Sequence, residues 1–73
     1  MRGMEPREQF AANLKSARKQ AGLSQEGLGD ATELHRTEIS LLERAEHDPR
    51  LATIVKLARG LEVTPSDLLR GIQ

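Results

Sequence analysis

Apolar residues recur along this chain at helical spacing and nowhere alternate with polar ones over the length of a strand. Phe10, Leu14 and Ala17 fall at i, i+4 and i+7, a single stripe of one helix. Leu outnumbers Val and Ile together by 11 to 5. Both features predict an all-α chain. Turn and cap residues then divide it into five segments. The first predicted helix runs from about Pro6 to Gln20. Pro6 suits the first helical position, where a missing N–H costs nothing. Ala21-Gly22 ends it, with Gly22 as a left-handed cap. Residues 1–5 are expected to form a flexible N-terminus ahead of a single domain over residues 6–73. Met4 offers a second start position, with Met1-Arg2-Gly3 then an extension.

The second predicted helix, about residues 24–31, opens on Ser24, a strong N-cap, with Glu26 at the positive end of the helix. It is some two turns long and carries Gly27 and Gly29, each costing roughly 0.5–1 kcal/mol against Ala. Such a helix depends on packing, and Gly29 suggests that another helix crosses closely there. The third follows Thr32-Glu33-Leu34 and spans about residues 35–44, with Ile39 and Leu42 facing inward. Asp48-Pro49 closes the next loop, because the residue before a proline disfavours helix. The fourth, about Leu51 to Gly60, is expected to be the central core helix. Leu51, Ile54, Val55, Leu57, Ala58 and Leu61 give it the densest apolar face in the chain. The fifth starts at Thr64-Pro65-Ser66-Asp67, a capping-box spacing with proline in the first turn.

Composition narrows the function classes. Seventy-three residues make one small domain, which buries only about 60% of the surface its unfolded chain exposes. The chain is 37% apolar and 30% charged, with Phe10 the single aromatic. One compact core fits; a deep enclosed pocket does not, which argues against an enzyme. The absence of cysteine excludes a disulfide scaffold, a thiolate zinc site and a cysteine nucleophile. His35 and His47 show no local metal-ligand spacing. Ser40 and His35 share no face and have no orienting third group, so they do not form a nucleophile–base pair. No membrane span or signal peptide is visible, and the expectation is a cytoplasmic helical domain with no cofactor. Eleven Lys and Arg offset eleven Asp and Glu. A neutral total excludes a generic polycation, but nucleic-acid binding depends on how charge is distributed over one face.

Two short helices joined by a three-residue turn read as a helix-turn-helix. In that arrangement the second helix enters the DNA major groove with its N-terminal residues at the base edges. The first crosses the backbone and points its N–H groups at a phosphate. The residues also resemble a known family. Leu23-Ser24-Gln25-Glu26-Gly27-Leu28-Gly29 is similar to the LSQEELA segment of lambda-repressor-like, or xenobiotic-response-element, regulators. The stretch from Leu34 to Arg44 is similar to their VSRSTISRIERG segment. Asp48-Pro49-Arg50-Leu51 resembles NPSL, Leu57 to Val63 resembles LAKALGV, and Ser66-Asp67-Leu68-Leu69 resembles the closing helix. The five pieces occur in order over about residues 10–70. The resemblance implies a compact five-helix fold and a sequence-specific regulator of transcription, a repressor type, that binds double-stranded DNA.

The same resemblance assigns roles by position. Gln25 matches a residue that contacts phosphate and buttresses base-reading side chains; a solvated first-turn glutamine is the alternative. Arg36 and Thr37 match the base-reading start of the recognition helix. Arginine grips guanine O6 and N7 bidentately, and a threonine methyl meets a thymine methyl. His35 either contacts DNA or caps the helix. Ser40, one turn along, reaches phosphate or base. Leu41 stands where relatives often carry a polar base reader, leaving apolar contact or packing at the helix edge. Arg44 and Arg50 flank the following loop as phosphate contacts, Arg50 with access to a narrow minor groove; solvated surface arginine is the alternative for each. Arg18 and Glu43 match a structural ion pair.

Some residues depart from the family pattern. Glu33 and Ala45 stand where relatives often have glycine. A left-handed backbone at such a residue costs roughly 1–2 kcal/mol. Glu33, Glu38, Glu46 and Asp48 place acid near the expected DNA face and are expected to sit at its rim or point sideways. One domain this small reads about half a site, so tight binding calls for a homodimer on a palindrome. Leu68, Leu69 and Ile72 on the last helix are the candidate dimer surface; the alternative is that they close the monomer core. A competing function is a protein-docking module or antitoxin-type partner, for which zero net charge and an exposed Leu41 are the arguments.

Overall fold

The backbone begins its first helix at Glu5, whose N–H donates to Glu8 Oε1 at 3.1 Å. Helix α1 (Pro6–Gln20) follows, then α2 (Gln25–Thr32), α3 (Arg36–Glu43), α4 (Leu51–Leu61) and α5 (Pro65–Leu68). The computed structural model describes residues 4–73, and no strand occurs among them. Glu5, the last residue of the expected N-terminal segment, is the N-cap of α1, and residues 1–3 lie outside the described residues. Ser24 caps α2 by accepting the Gly27 N–H at 2.9 Å. Thr64 and Asp67 form a reciprocal capping box at α5. Asp67 accepts the Thr64 N–H at 2.9 Å. That bond, then the Thr64 side chain and Arg70, hold its carboxyl below the usual carboxylate range.

Every helix contributes to one core. Phe10 and Leu14 from α1, Leu28 from α2, Ile39 and Leu42 from α3, Leu57 from α4 and Leu68 from α5 are its largest fully buried side chains. α1 packs on α3 and α5, α2 on α3 and α4, and α4 on α5. Ile54, Ala58 and Leu61 complete the α4 face as the sequence pattern requires. Leu51 does not join them and is 75% exposed. It occupies the first position of α4, beyond the reach of the other helices' apolar stripes.

The close approach expected at Gly29 is made by the turn and by α3. A Cβ at Gly29 would stand 2.7 Å from the Leu34 carbonyl oxygen, 3.5 Å from the Arg36 backbone nitrogen and 3.7 Å from Ile39 Cδ1. A second close crossing is at Gly60 of α4, where a Cβ would run into Thr32 of α2. Thr32 is buried, and its hydroxyl donates to the Leu28 carbonyl at 2.7 Å.

The last helix also differs from expectation. Asn13 on α1 donates to the carbonyls of Leu68 at 2.9 Å and Arg70 at 2.8 Å. This satisfies the end of α5 and holds Leu68 in the core with no exposed surface. Leu68 thus cannot form a dimer surface. Leu69, 38% exposed, faces outward, and Ile72 is half-buried against the core.

Three helix ends rest on non-glycine residues with positive φ: Glu33 (62°), Ala45 (58°) and Glu62 (58°). Relieving a left-handed alanine gains roughly 1–2 kcal/mol, and the extra freedom of glycine in the unfolded chain returns roughly half of that. Ala45→Gly is therefore expected to stabilise the domain by about 0.5–1 kcal/mol, raising the thermal midpoint by roughly 2–8 °C. Calorimetry of the two proteins side by side checks this; a lowered midpoint would contradict it.

Candidate nucleic-acid interface

The orientation of α3 is set by one side-chain cluster. Arg18, near the end of α1, donates Nε to Glu43 Oε2 at 2.7 Å and Nη2 to Glu43 Oε1 at 3.0 Å. Its remaining nitrogen, Nη1, donates to the Leu23 carbonyl at 2.8 Å. Gln25, the first residue of α2, donates Nε2 to the same Oε1 at 3.2 Å. The Glu43 side chain is 1% exposed and that of Arg18 is 12% exposed. One carboxylate at the end of α3 thus joins α1, α2 and the loop between them. The fork–fork geometry and the third donor satisfy groups that burial would otherwise penalise. The Glu43 bond raises the Arg18 pKa further above its already high ordinary value, against the effect of burial. Gln25 is half-buried in this cluster, so its amide N–H supports Glu43 instead of pointing at solvent.

At the other end of α3, His35 is the N-cap. Its Nδ1 accepts the Thr37 N–H at 3.0 Å. An accepting Nδ1 carries no proton, so the neutral ring holds its hydrogen on Nε2. His35, Arg36 and Thr37 are exposed, whereas Ser40 and Leu41 are half-buried one turn further on. The first turn of α3 therefore offers an imidazole N–H, a guanidinium and a hydroxyl. These groups suit phosphate oxygens and the acceptor edge of guanine.

The fold divides the remaining residues between three surface grooves. Thr37, Leu41 and Arg50 line one groove between α3 and the start of α4, together with His47 and Lys56. His35 and Arg36 line a second, with Glu26 and Asp30 of α2. Arg44 faces a third, opposite Lys15 and Lys19 of α1. Lys56, Lys15 and Lys19 escaped the sequence reading, and His47 entered it only as a metal ligand to be dismissed. Each is an ordinary polar helix or loop position, and only the packing of distant segments brings it beside a candidate contact.

The acids take particular positions. Glu46 pairs with Arg44 at 3.1 Å and Asp48 with Arg7 at 3.2 Å. Glu26 approaches Arg36 at 3.9 Å. All three pairs are solvent-exposed, where an ion pair is worth about 0–1 kcal/mol. Glu33 is exposed in its left-handed turn. Glu38 departs from the expectation of a rim position, because it lines the same groove as Thr37 and Arg50.

Glu43→Ala leaves the Arg18 guanidinium buried without its carboxylate, and a loss of about 3–5 kcal/mol is expected. Replacing both partners, Arg18→Met with Glu43→Leu, is expected to cost less than Glu43→Ala alone. Denaturant melts of the three proteins measure this. Equal losses for Glu43→Ala and the double variant would show that the charges are uncoupled.

Comparison with known proteins places this geometry. A helix-turn-helix family model matches residues 14–68. Control protein C.SmaI of Serratia marcescens is 39% identical over 66 residues, covering 90% of this chain and 79% of that protein. Control protein C.BamHI of Bacillus amyloliquefaciens is 43% identical over 49 residues, 67% of this chain and 60% of that protein. The crystal structure of the restriction-modification controller protein C.AhdI from Aeromonas hydrophila superposes with a TM-score of 0.82. It is 34% identical, with 85% of this chain and 94% of that chain covered. The model match takes in all of α2, α3 and α4, with the Arg18–Glu43 lock inside it. The chain belongs to the helix-turn-helix family of lambda-repressor-like, DNA-binding transcriptional regulators.

Proposed function

We propose that this chain is a controller of the restriction-modification type that binds a palindromic operator as a homodimer. The observation that carries the reading is the exposed first turn of α3, held at a fixed angle by the buried Glu43 cluster. Arg36 and Thr37 read base edges in the major groove. His35, through Nε2–H, and Ser40 contact phosphate or base, and Leu41 meets a thymine methyl. Arg44 and Arg50 contact phosphates on either side of the loop after α3, and Gln25 acts through Glu43 as a buttress. Similarity to C.SmaI and C.AhdI across most of the chain supports the controller role.

The dimer follows from size. An eight-residue recognition helix covers one half-site, and two half-sites about one helical turn apart need two copies. Leu69 and Ile72 at the C-terminal end supply its apolar contact. The role is binding alone, with no catalytic step, and it places the protein in the cytoplasm with the DNA it controls.

The test is a fluorescence-anisotropy titration against a random-sequence duplex pool at two salt concentrations, with selection and sequencing of the bound fraction. Sedimentation of the selected complex gives its stoichiometry. The expected result is an enriched palindrome bound by two copies, with affinity falling steeply as salt rises. Arg36→Ala is then expected to cost about 1–3 kcal/mol and to relax one base position in each half-site. An unenriched pool, or a one-to-one complex on a non-repeated site, would overturn the operator-binding dimer.

A further inference from the structure

Asp48 lies on the loop between α3 and α4, two residues before Arg50, where an acid would be expected to repel a phosphate. Its carboxylate is instead engaged by Arg7 of α1, 41 residues away in sequence. Arg7 Nη2 donates to Oδ2 at 3.2 Å, and Nε lies 3.2 Å from Oδ1 as an ion-pair contact. The contact holds the Asp48 carboxylate against the start of α1. The rest of the loop shows what it fastens. At one end, the Glu46 N–H donates to the Leu41 carbonyl at 2.9 Å and Ala45 takes the left-handed turn. At the other, the Arg50 carbonyl accepts the Ile54 N–H at 3.0 Å as α4 begins. Among the described residues, 47–49 make no backbone–backbone hydrogen bond. Pro49 holds its own φ near −65°, so a fixed Asp48 restricts where the Arg50 Cα can lie.

Arg50 itself is exposed and makes no ion pair among the described residues. It lines the same groove as Thr37.

From this arrangement we infer that Arg7 and Asp48 are positioning residues for DNA binding: their contact restrains the loop so that Arg50 stands ready beside the recognition helix. The inference rests on the reading of Arg50 as a DNA contact. Ordering Arg50 before DNA arrives removes part of the entropy that binding would otherwise lose. The pair is exposed and contributes little to folding, so its effect is read in affinity.

The test measures the affinity of Arg7→Gln, Arg7→Lys, Arg50→Ala and the Arg7→Gln/Arg50→Ala double variant for a labelled duplex of the selected operator. Backbone nitrogen-15 order parameters of loop residues 46–48 and thermal melting are followed in parallel. Arg7→Gln is expected to weaken binding by about two- to fivefold, the scale of an exposed ion pair. Arg7→Lys keeps the charge but loses the guanidinium Nη2 hydrogen bond and is expected to weaken binding comparably. Both lower the loop order parameters without shifting the melting midpoint. In the Arg50→Ala background the Arg7→Gln effect is expected to vanish. Wild-type affinity for Arg7→Gln, with Arg50→Ala weakened, overturns the inference and leaves the Arg50 reading intact. Undiminished weakening in the Arg50→Ala background would mean that Arg7 meets DNA itself, which also overturns it. Wild-type affinity for Arg50→Ala removes the contact being positioned and overturns both readings.

Discussion

The carboxylate of Glu43 is the point on which the orientation of the recognition helix depends. It ends α3, lies in the interior, and takes hydrogen bonds from α1 through Arg18 and from α2 through Gln25. A buried ion pair is a weak source of net stability, since desolvation offsets most of the attraction between the charges. What it supplies here is angular definition. Apolar packing of Ile39 and Leu42 brings α3 to the core, but packing alone tolerates small rotations. A planar fork with a third donor does not. On the proposed reading, a slight rotation of α3 about its axis would carry Arg36 and Thr37 away from a base edge, so this cluster would connect the core to readout.

Charge is organised locally in a chain whose total is zero. Arg36 and Arg44 each stand near a carboxylate from a neighbouring element or loop, and Arg7 is held by Asp48. The exposed pairs of Arg36 and Arg44 are weak enough for a phosphate to compete with. They lower the long-range attraction of the free protein for any polyanion. Affinity then depends more on base contacts that only the right sequence supplies. Neutral composition and DNA binding are therefore compatible, which weakens the sequence-level argument for a protein-docking role.

Much of this was legible in the sequence because local rules and tertiary structure agree. Ser24, the Thr64–Asp67 capping box and Gly22 mark helix ends by their own hydrogen bonds or backbone freedom, and the structure uses them so. The i, i+4 stripe of Phe10 and Leu14 is buried as its spacing requires. What escaped depends on contacts between distant segments. Leu51 continues the apolar pattern of α4 yet finds no neighbour, because periodicity gives direction and not what lies opposite. Leu68 was ambiguous between core and surface until Asn13 of α1 was seen to hold the end of α5. Gly29 signalled a close approach correctly, to the turn backbone as well as to α3, while the approach at Gly60 gave no such signal. Asp48 read as a repulsive charge because its partner, Arg7, lies 41 residues away.

The account stands on a recognition helix fixed before DNA arrives, and the Arg18 guanidinium reports on that directly. Nitrogen-15 NMR of its Nε–H, compared between the free protein and its complex with the selected operator, is the decisive measurement. A preformed cluster gives a resolved Arg18 Nε–H that exchanges slowly with water in the free protein and barely shifts on binding. An Nε–H that exchanges as fast as those of surface arginines in the free protein, and becomes protected only with DNA, would mean that the operator builds the cluster. In that case the fold would not present a finished recognition surface.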